Sequence, residues 1–278
     1  MFRPPRSNIR SVLAGLPGIE LRRGVRVARI AARGGRVTGL ALADGEEIAA
    51  PLVVSGMDPR RTLLALLEPG WLDPEFARAV GHIRARGVSA RVDLTLEREP
   101  GFSTLVVAPS LDYLERGYDD VKYCRLSRQP YIEARHDETD AAGRHRLAVH
   151  VQYTPYAPAD GDWDVTRSAA LADTVVETLA PQVPALAGAI VERRVLAPPD
   201  LERLCGDPEG QPHHAELALD QAFWMRPLPE LARYRTPIEG LYLCGPAMHP
   251  GAGIAGASGA NAAREILGDQ AAGKFGPS

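Results

Sequence analysis

One stretch holds residues whose types and spacing could do chemistry: Gly245-Pro246-Ala247-Met248-His249-Pro250-Gly251-Ala252-Gly253-Ile254-Ala255-Gly256. It follows the apolar run Leu241-Tyr242-Leu243-Cys244 and precedes helix-forming residues from about 257 to 267. Glycines between a buried strand and a helix start let backbone approach a ligand, and the free N–H groups of the helix attract negative charge. That is the physics of a phosphate or cofactor cradle. Ordinary loops also hold Gly and Pro, so the spacing alone leaves both readings open. The run is not a P-loop, because no GK[ST] is present, nor is it a GxGxxG fingerprint followed by an acidic residue.

The other chemically capable residues each carry a plainer reading. His249 could assist proton transfer or could simply pack in its loop. The adjacent pair His213-His214 points its side chains in different directions and has no carboxylate–His spacing, so it reads as a surface or substrate-domain loop; no metal ligand set is expected. Cys244 reads as a buried strand cysteine, since no cationic neighbour or paired His activates it. Phe223, Trp224 and Met225 are candidates for a substrate pocket, or else ordinary core. The Arg-rich stretch 84–98 reads as a solvated strand face.

Composition narrows the classes. The chain has 278 residues, 32 Lys+Arg against 35 Asp+Glu, a net charge of −3 and 45% apolar residues. This is a globular composition, with length for a substantial core. Near-neutral charge with dispersed Arg argues against nucleic acid. No apolar run reaches the ~18–20 residues of a membrane-spanning helix. Three cysteines, Cys124, Cys205 and Cys244, form no CxxC pair, which fits a reducing, cytoplasmic setting.

Several elements position these residues. Val25 to Ile30, a Gly34-Gly35 turn, then Val37, Leu40 and Leu42 read as short strands in a hairpin, with Asp44-Gly45 as a second turn. Leu52-Val53-Val54 reads as a strand covered on both faces, ending at Ser55-Gly56-Met57-Asp58-Pro59, where Asp58 can cap a helix over 60–68. A second helix is expected over 73–84. Residues 88–96 alternate, with Val88, Ala90, Val92, Leu94 and Leu96 on one face, and Leu147, Val149, Val151 and Tyr153 repeat the period. Asp164 opens a helix with Leu171, Val175 and Leu179 inward. The stretch 97–146, rich in Pro, Gly and charge, gives the weakest pattern. Alternating strands with one polar face predict an antiparallel sheet backed by helices.

The sequence GLYLCGPAMHPGAGIAGASGANAAREI (240–266) closely resembles the C-terminal flavin-binding motif of the phytoene dehydrogenase-like FAD oxidoreductases, in the superfamily of amine oxidases and carotenoid desaturases. LDQAFWMRPLPELARYRTPIEG (219–240) and the region from PYIEAR to HVQYTPY (130–156) resemble the branch of pyridine nucleotide-disulfide oxidoreductase domain-containing protein 2. GVRVARI, GRVTGLALADGEEI and LVVSGMDPRRT resemble the middle of the same proteins. In all, the resemblance covers roughly residues 20–270.

The resemblance implies FAD as cofactor and hydride transfer to flavin, with an apolar or amphiphilic small-molecule substrate. It implies that the backbone of Val27 contacts the adenine edge, that Gly245 lies where the ribityl-phosphate region passes, and that Gly251, Gly253 and Ile254 turn N–H groups toward the flavin. A helix dipole aimed there would stabilise negative charge on reduction. Ala252 stands where the family often has Gly, and Asn261 in the following helix has no assigned role. Family members open with a strand, a GxGxxG turn, a helix and an acidic residue; the N-terminal residues here contain no such unit. The expectation is therefore the C-terminal portion of such an enzyme, with FAD binding weak or absent in the isolated chain.

The expected fold class is α/β plus α+β. Residues 1–58 and 236–278 form the remaining part of a Rossmann-like FAD-binding domain lacking its GxGxxG half, and 59–235 form an inserted antiparallel-sheet substrate-binding domain. A partner chain carrying the GxGxxG half, or a homo-oligomer, would cover the exposed apolar surface. The alternative function is a non-catalytic binding or interaction protein, or a truncated reading frame that lacks the cofactor half.

Overall fold

The structure, a computed structural model, describes residues 15–186, 188–251 and 256–274. β1 (Val27–Arg33) and β2 (Arg36–Leu42) form an antiparallel hairpin turned at Gly34-Gly35. β3 (Glu47–Ala49) pairs with β2 to give a three-stranded sheet. After β4 (Val53–Ser55) the chain passes Asp58, whose carboxylate accepts the Arg61 N–H at 2.9 Å, into a π-helical turn at Arg61–Ala65. α1 (Pro74–Gly81) starts at Asp73, which accepts the Glu75 and Phe76 N–H groups, with Pro74 in the first turn.

The middle of the chain builds a five-stranded sheet. It contains β5 (Ser89–Leu96), β6 (Thr104–Val107), β7 (Ile132–Thr139), β8 (His145–Gln152) and β9 (Ile190–Leu196), in the order β6-β7-β8-β5-β9 with every neighbouring pair antiparallel. One face buries Ala90, Val92, Leu94 and Leu96 of β5 beside Leu147, Val149 and Val151 of β8. Against it lies α3 (Val165–Leu179), with Leu171, Val175 and Leu179 inward and Asp164 capping the Arg167 N–H at 2.7 Å. The remaining helices here are α2 (Leu111–Lys122), between β6 and β7, and α4 (Pro198–Cys205), after β9.

The stretch 97–146 is therefore more ordered than its pattern suggests: it supplies β6, α2 and β7. β6 is an edge strand of four residues, and β7 shifts register between His136 and Glu138. Neither feature leaves a clean period in the sequence, because the pairing partner holds the strand in place. The Arg-rich stretch is also less free than a solvated face. Arg84 grips the Asp220 carboxylate with both terminal nitrogens, and Arg91 pairs with Asp93 at 2.8 Å.

The chain then returns to its beginning. β10 (Leu241–Leu243) runs parallel to β4, with Leu241 opposite Val53 and Leu243 opposite Ser55, and α5 (Ala257–Ala271) follows. A second apolar cluster surrounds this pair, with Ile30, Val37, Leu63, Val80, Leu231, Ile238 and Met248, so residues on both sides of positions 58 and 235 contribute to it. Leu241, Tyr242 and Leu243 are all buried. β4 departs from the expectation of two covered faces: Val53 is buried, but Val54 is 44% exposed. The structure is a mixed α/β arrangement with antiparallel sheets.

Candidate functional site

β4 and β10 end side by side, and the candidate site is built where they stop. Gly245 follows β10 by two residues, and a Cβ placed on it would come within 2.6 Å of the Gly56 carbonyl oxygen. Two backbones touch here, so only glycine fits. The Cys244 N–H donates to the Ser55 carbonyl at 2.8 Å, and the Ser258 hydroxyl donates to the Cys244 carbonyl at 2.8 Å. That second bond ties the start of α5 to the end of β10. Burial pushes the Cys244 thiol up, which keeps it protonated and inert.

Between β10 and α5 the chain is held by its neighbours. The Met248 N–H bonds the Gly245 carbonyl and the Gly251 N–H bonds the Met248 carbonyl at 2.7 Å. Gly251 has φ +103°, and a Cβ there would lie 3.1 Å from Arg226 Nε. His249 is half-buried; its carbonyl accepts from the Tyr234 hydroxyl at 2.6 Å, and that hydroxyl accepts from Asn261 Nδ2 at 2.9 Å. Asn261 thus acquires a role: it links α5 to the His249 backbone. His249 Nδ1 faces the Phe223 carbonyl at 3.0 Å and must donate to it, leaving Nε2 as the acceptor in the neutral ring. α5 is anchored at its other end, where Asp269 accepts from Arg235 Nε at 2.5 Å, Tyr242 at 2.7 Å and Lys274 at 2.8 Å. These partners hold the Asp269 carboxyl well below its usual range.

The residues expected at a site are distributed unevenly. Gly245, His249 and Gly251 share one turn, and Phe223 joins them through the His249 ring. Phe223 and Trp224 are 67% and 74% exposed with ring centres 6.0 Å apart, and Met225 is half-buried, so this trio is not ordinary core. Val27 lies opposite Leu42, at the end of the hairpin away from its turn, outside the cluster around β4 and β10. Gly253 and Ile254, with Ala252, lie outside the described residues.

Of the histidine pair, His213 is exposed, but His214 is largely buried, with Nε2 3.5 Å from Asp207 and Nδ1 without a partner. Burial pushes the His214 pKa down, which favours its neutral form. Among the described residues no group of three or more His, Cys, Asp or Glu could hold a metal ion.

No family model matches the chain. It is 33% identical over 258 residues to pyridine nucleotide-disulfide oxidoreductase domain-containing protein 2 of Rattus norvegicus, covering 84% of this chain and 44% of that protein. It is 29% identical over 273 residues to hydroxyneurosporene desaturase of Cereibacter sphaeroides, covering 93% of this chain and 51% of the desaturase. The chain is thus a homologue of pyridine nucleotide-disulfide oxidoreductase domain-containing protein 2 and of a desaturase. It spans about half the length of these relatives. Among solved structures, cyclohexylamine oxidase from Brevibacterium oxydans shares the fold, with a TM-score of 0.51 at 15% identity over 88% of this chain and 48% of the oxidase.

The turn can be tested against the flavin contact that the sequence resemblance implies. Gly245 and Gly251 are required by protein neighbours, Gly56 and Arg226, so their type alone does not argue for a ligand. The start of α5 does fit one: no described side chain caps it, and the N–H groups of a first helical turn have no intrahelical acceptor. Gly251, Gly253 and Gly256 also follow a GxGxxG spacing, between β10 and α5.

Sequence reasoning missed Arg226, the largest fully buried side chain among the described residues, which backs this turn. Its signal was an arginine set between apolar residues in Phe223-Trp224-Met225-Arg226-Pro227.

Proposed function

We propose that this chain supplies the flavin-facing turn and the substrate-side sheet of an FAD-dependent oxidoreductase. The observation that carries the reading is the parallel β4–β10 pair, whose ends meet at Gly56 and Gly245 and lead through the glycine-rich turn into the start of α5, which no described side chain caps. Crevices beyond the carboxyl ends of parallel strands are where open α/β sheets take ligands. In this reading residues 1–58 and 236–278 belong to a Rossmann-like FAD-binding domain and 59–235 to the substrate-binding domain.

FAD, when bound, supplies a two-electron acceptor for a substrate C–H bond. Gly245, Gly251, Gly253 and Ile254 would hold its flavin side through backbone groups, and the main chain of Val27 would meet the adenine edge. The α5 N-terminus favours negative charge beside the turn. His249, fixed by Phe223 with Nε2 as acceptor, can take a proton at that atom. The exposed rings of Phe223 and Trp224, with Met225, offer contact to an apolar or amphiphilic substrate, the class to which the desaturase relative's name points. The setting proposed is the cytoplasm; no helix among the described residues is long and apolar enough to cross a membrane.

Helix-terminus contacts contribute about 0.3–1 kcal/mol each when exposed. A few of them fall short of the roughly −8 kcal/mol of a micromolar site. The chain alone should therefore purify colourless, and co-expression with an N-terminal ADP-binding half bearing a strand–GxGxxG–helix unit should give a yellow assembly. The visible spectrum of each preparation decides. Stoichiometric FAD on the chain alone would reveal a second cofactor clamp; a colourless assembly would move the reading to a non-catalytic binding protein.

A further inference from the structure

The Arg226 side chain makes five hydrogen bonds, all to main-chain carbonyls. Nη1 donates to Glu216 at 3.0 Å and Gln221 at 3.3 Å; Nη2 donates to Pro246 at 3.0 Å and to His213 and Ala215 at 3.3 Å. Its side chain is 1% exposed, Nε has no partner, and no described carboxylate lies within ion-pair distance. Arg235 makes the contrast, paired with both Glu265 and Asp269. Carbonyls satisfy N–H groups but carry no net charge, so Arg226 remains a buried, uncompensated cation. Removal from water pushes its pKa down, yet a guanidinium starts so high that it stays protonated.

The placement of this charge is specific. Arg226 holds the Pro246 carbonyl at one end of the glycine-rich turn, and Gly251 lies against it at the other, with the Cβ position 3.1 Å from Nε and 3.6 Å from Cζ. A side chain at 251 would press on the guanidinium and require it to shift by a few tenths of an ångström. The turn and the cation are therefore one unit, and a fixed charge in a poorly hydrated setting acts on its surroundings more strongly than one in water.

We infer that Arg226 is a positioning residue for the glycine-rich turn, and that its fixed charge biases the turn toward the anionic, reduced form of a bound flavin; the inference rests on the FAD reading. A purely structural Arg226 would only staple residues 213–221 to Pro246, and would leave no preference between ligand charge states.

The test compares the full chain with Arg226→Lys, which keeps the charge, and Arg226→Gln, which removes it. Anaerobic equilibrium dialysis with millimolar oxidised or dithionite-reduced FAD, in mildly alkaline buffer, measures both affinities, and thermal unfolding checks each fold. The wild-type chain and Arg226→Lys should favour reduced FAD by about tenfold, and Arg226→Gln should bring the two affinities together. Survival of the preference in a folded Arg226→Gln would overturn the inference. If Arg226→Gln does not fold, the other two chains decide: a ratio near one overturns the inference and a tenfold preference in both supports it. If neither form of FAD binds the wild-type chain without the ADP-binding half, the FAD reading stands or falls by the spectrum of the co-expressed assembly. Inorganic pyrophosphate then serves as the probe. Protection of the 245–251 amides from hydrogen exchange in wild type and Arg226→Lys, but not in Arg226→Gln, keeps the charge role, and equal exchange in all three ends it.

Discussion

The five-stranded sheet and the β4–β10 pair hold their shapes in different ways. β5 and β8 are eight residues each, pair along their whole length, and bury every second side chain against α3. β4 and β10 are three residues each, and what fixes them arrives from far along the chain: Ile30, Leu63, Leu231 and Met248 around them, Gly56 against Gly245, Arg226 against Gly251. The first region is stabilised by repetition of one pattern. The second depends on a few close approaches, each with little room to change, and this is the region that carries the candidate site.

Core truncation in the sheet should give the largest effect on stability. Leu94 is 0% exposed in the middle of β5, so Leu94→Ala is expected to cost about 2–5 kcal/mol in urea unfolding. The turn should keep its native hydrogen-exchange pattern in a chain that remains folded. If the 245–251 amides loosened together with the sheet, the two regions would be one cooperative unit and the contrast would fail.

A smaller energetic effect with a more local readout is expected at Gly245. Its new Cβ would stand 2.6 Å from the Gly56 oxygen, and backbone cannot yield as a flexible side chain does. Gly245→Ala should cost about 1–3 kcal/mol, as overpacking does, and should raise exchange at 56–58 and 245–251 while sparing β5 and β8. An unchanged melting temperature would show that the two strand ends are not tightly joined.

The smallest effect is a pH dependence. Hydrogen bonding from Arg235, then Lys274 and Tyr242, holds the Asp269 carboxyl below its usual range. The unfolded chain therefore takes up this proton first on acidification. The stabilisation is complete above the ordinary carboxylate range, near pH 4, and is lost as pH falls through that range toward the depressed folded value. Asp269→Asn should flatten the acid limb of a plot of melting temperature against pH. Asp137, in the β7–β8 hairpin, is lowered chiefly by Arg146 but is more exposed, so Asp137→Asn should change that limb less. Equal effects would remove the electrostatic part of the comparison.

The unequal legibility of the two regions follows from the same difference. Alternation at 88–96 and 147–153 marked the buried faces of β5 and β8, because a strand with one covered face writes its period into the residues. The spacing of Leu171, Val175 and Leu179 behind Asp164 marked α3 in the same way. β6, α2 and β7 were obscured by Pro, Gly and charge. At the candidate site, Gly245, His249 and Gly251 were visible as a motif and through a family resemblance, whereas the partial burial of His214 was not.

By itself, then, the sequence determined the local periods, the helix-starting acids and the turns at Gly34-Gly35 and Asp44-Gly45, since each depends on residues a few positions apart. Tertiary structure alone decided that β4 lies parallel to β10, that Val54 faces outward, and that Arg226 is enclosed behind the glycine-rich turn. A three-residue strand is too short to show a period, and an arginine between apolar residues reads the same whether solvated or buried. Those outcomes depend on which distant segments supply carbonyls and apolar cover, and only the assembled chain brings these segments together.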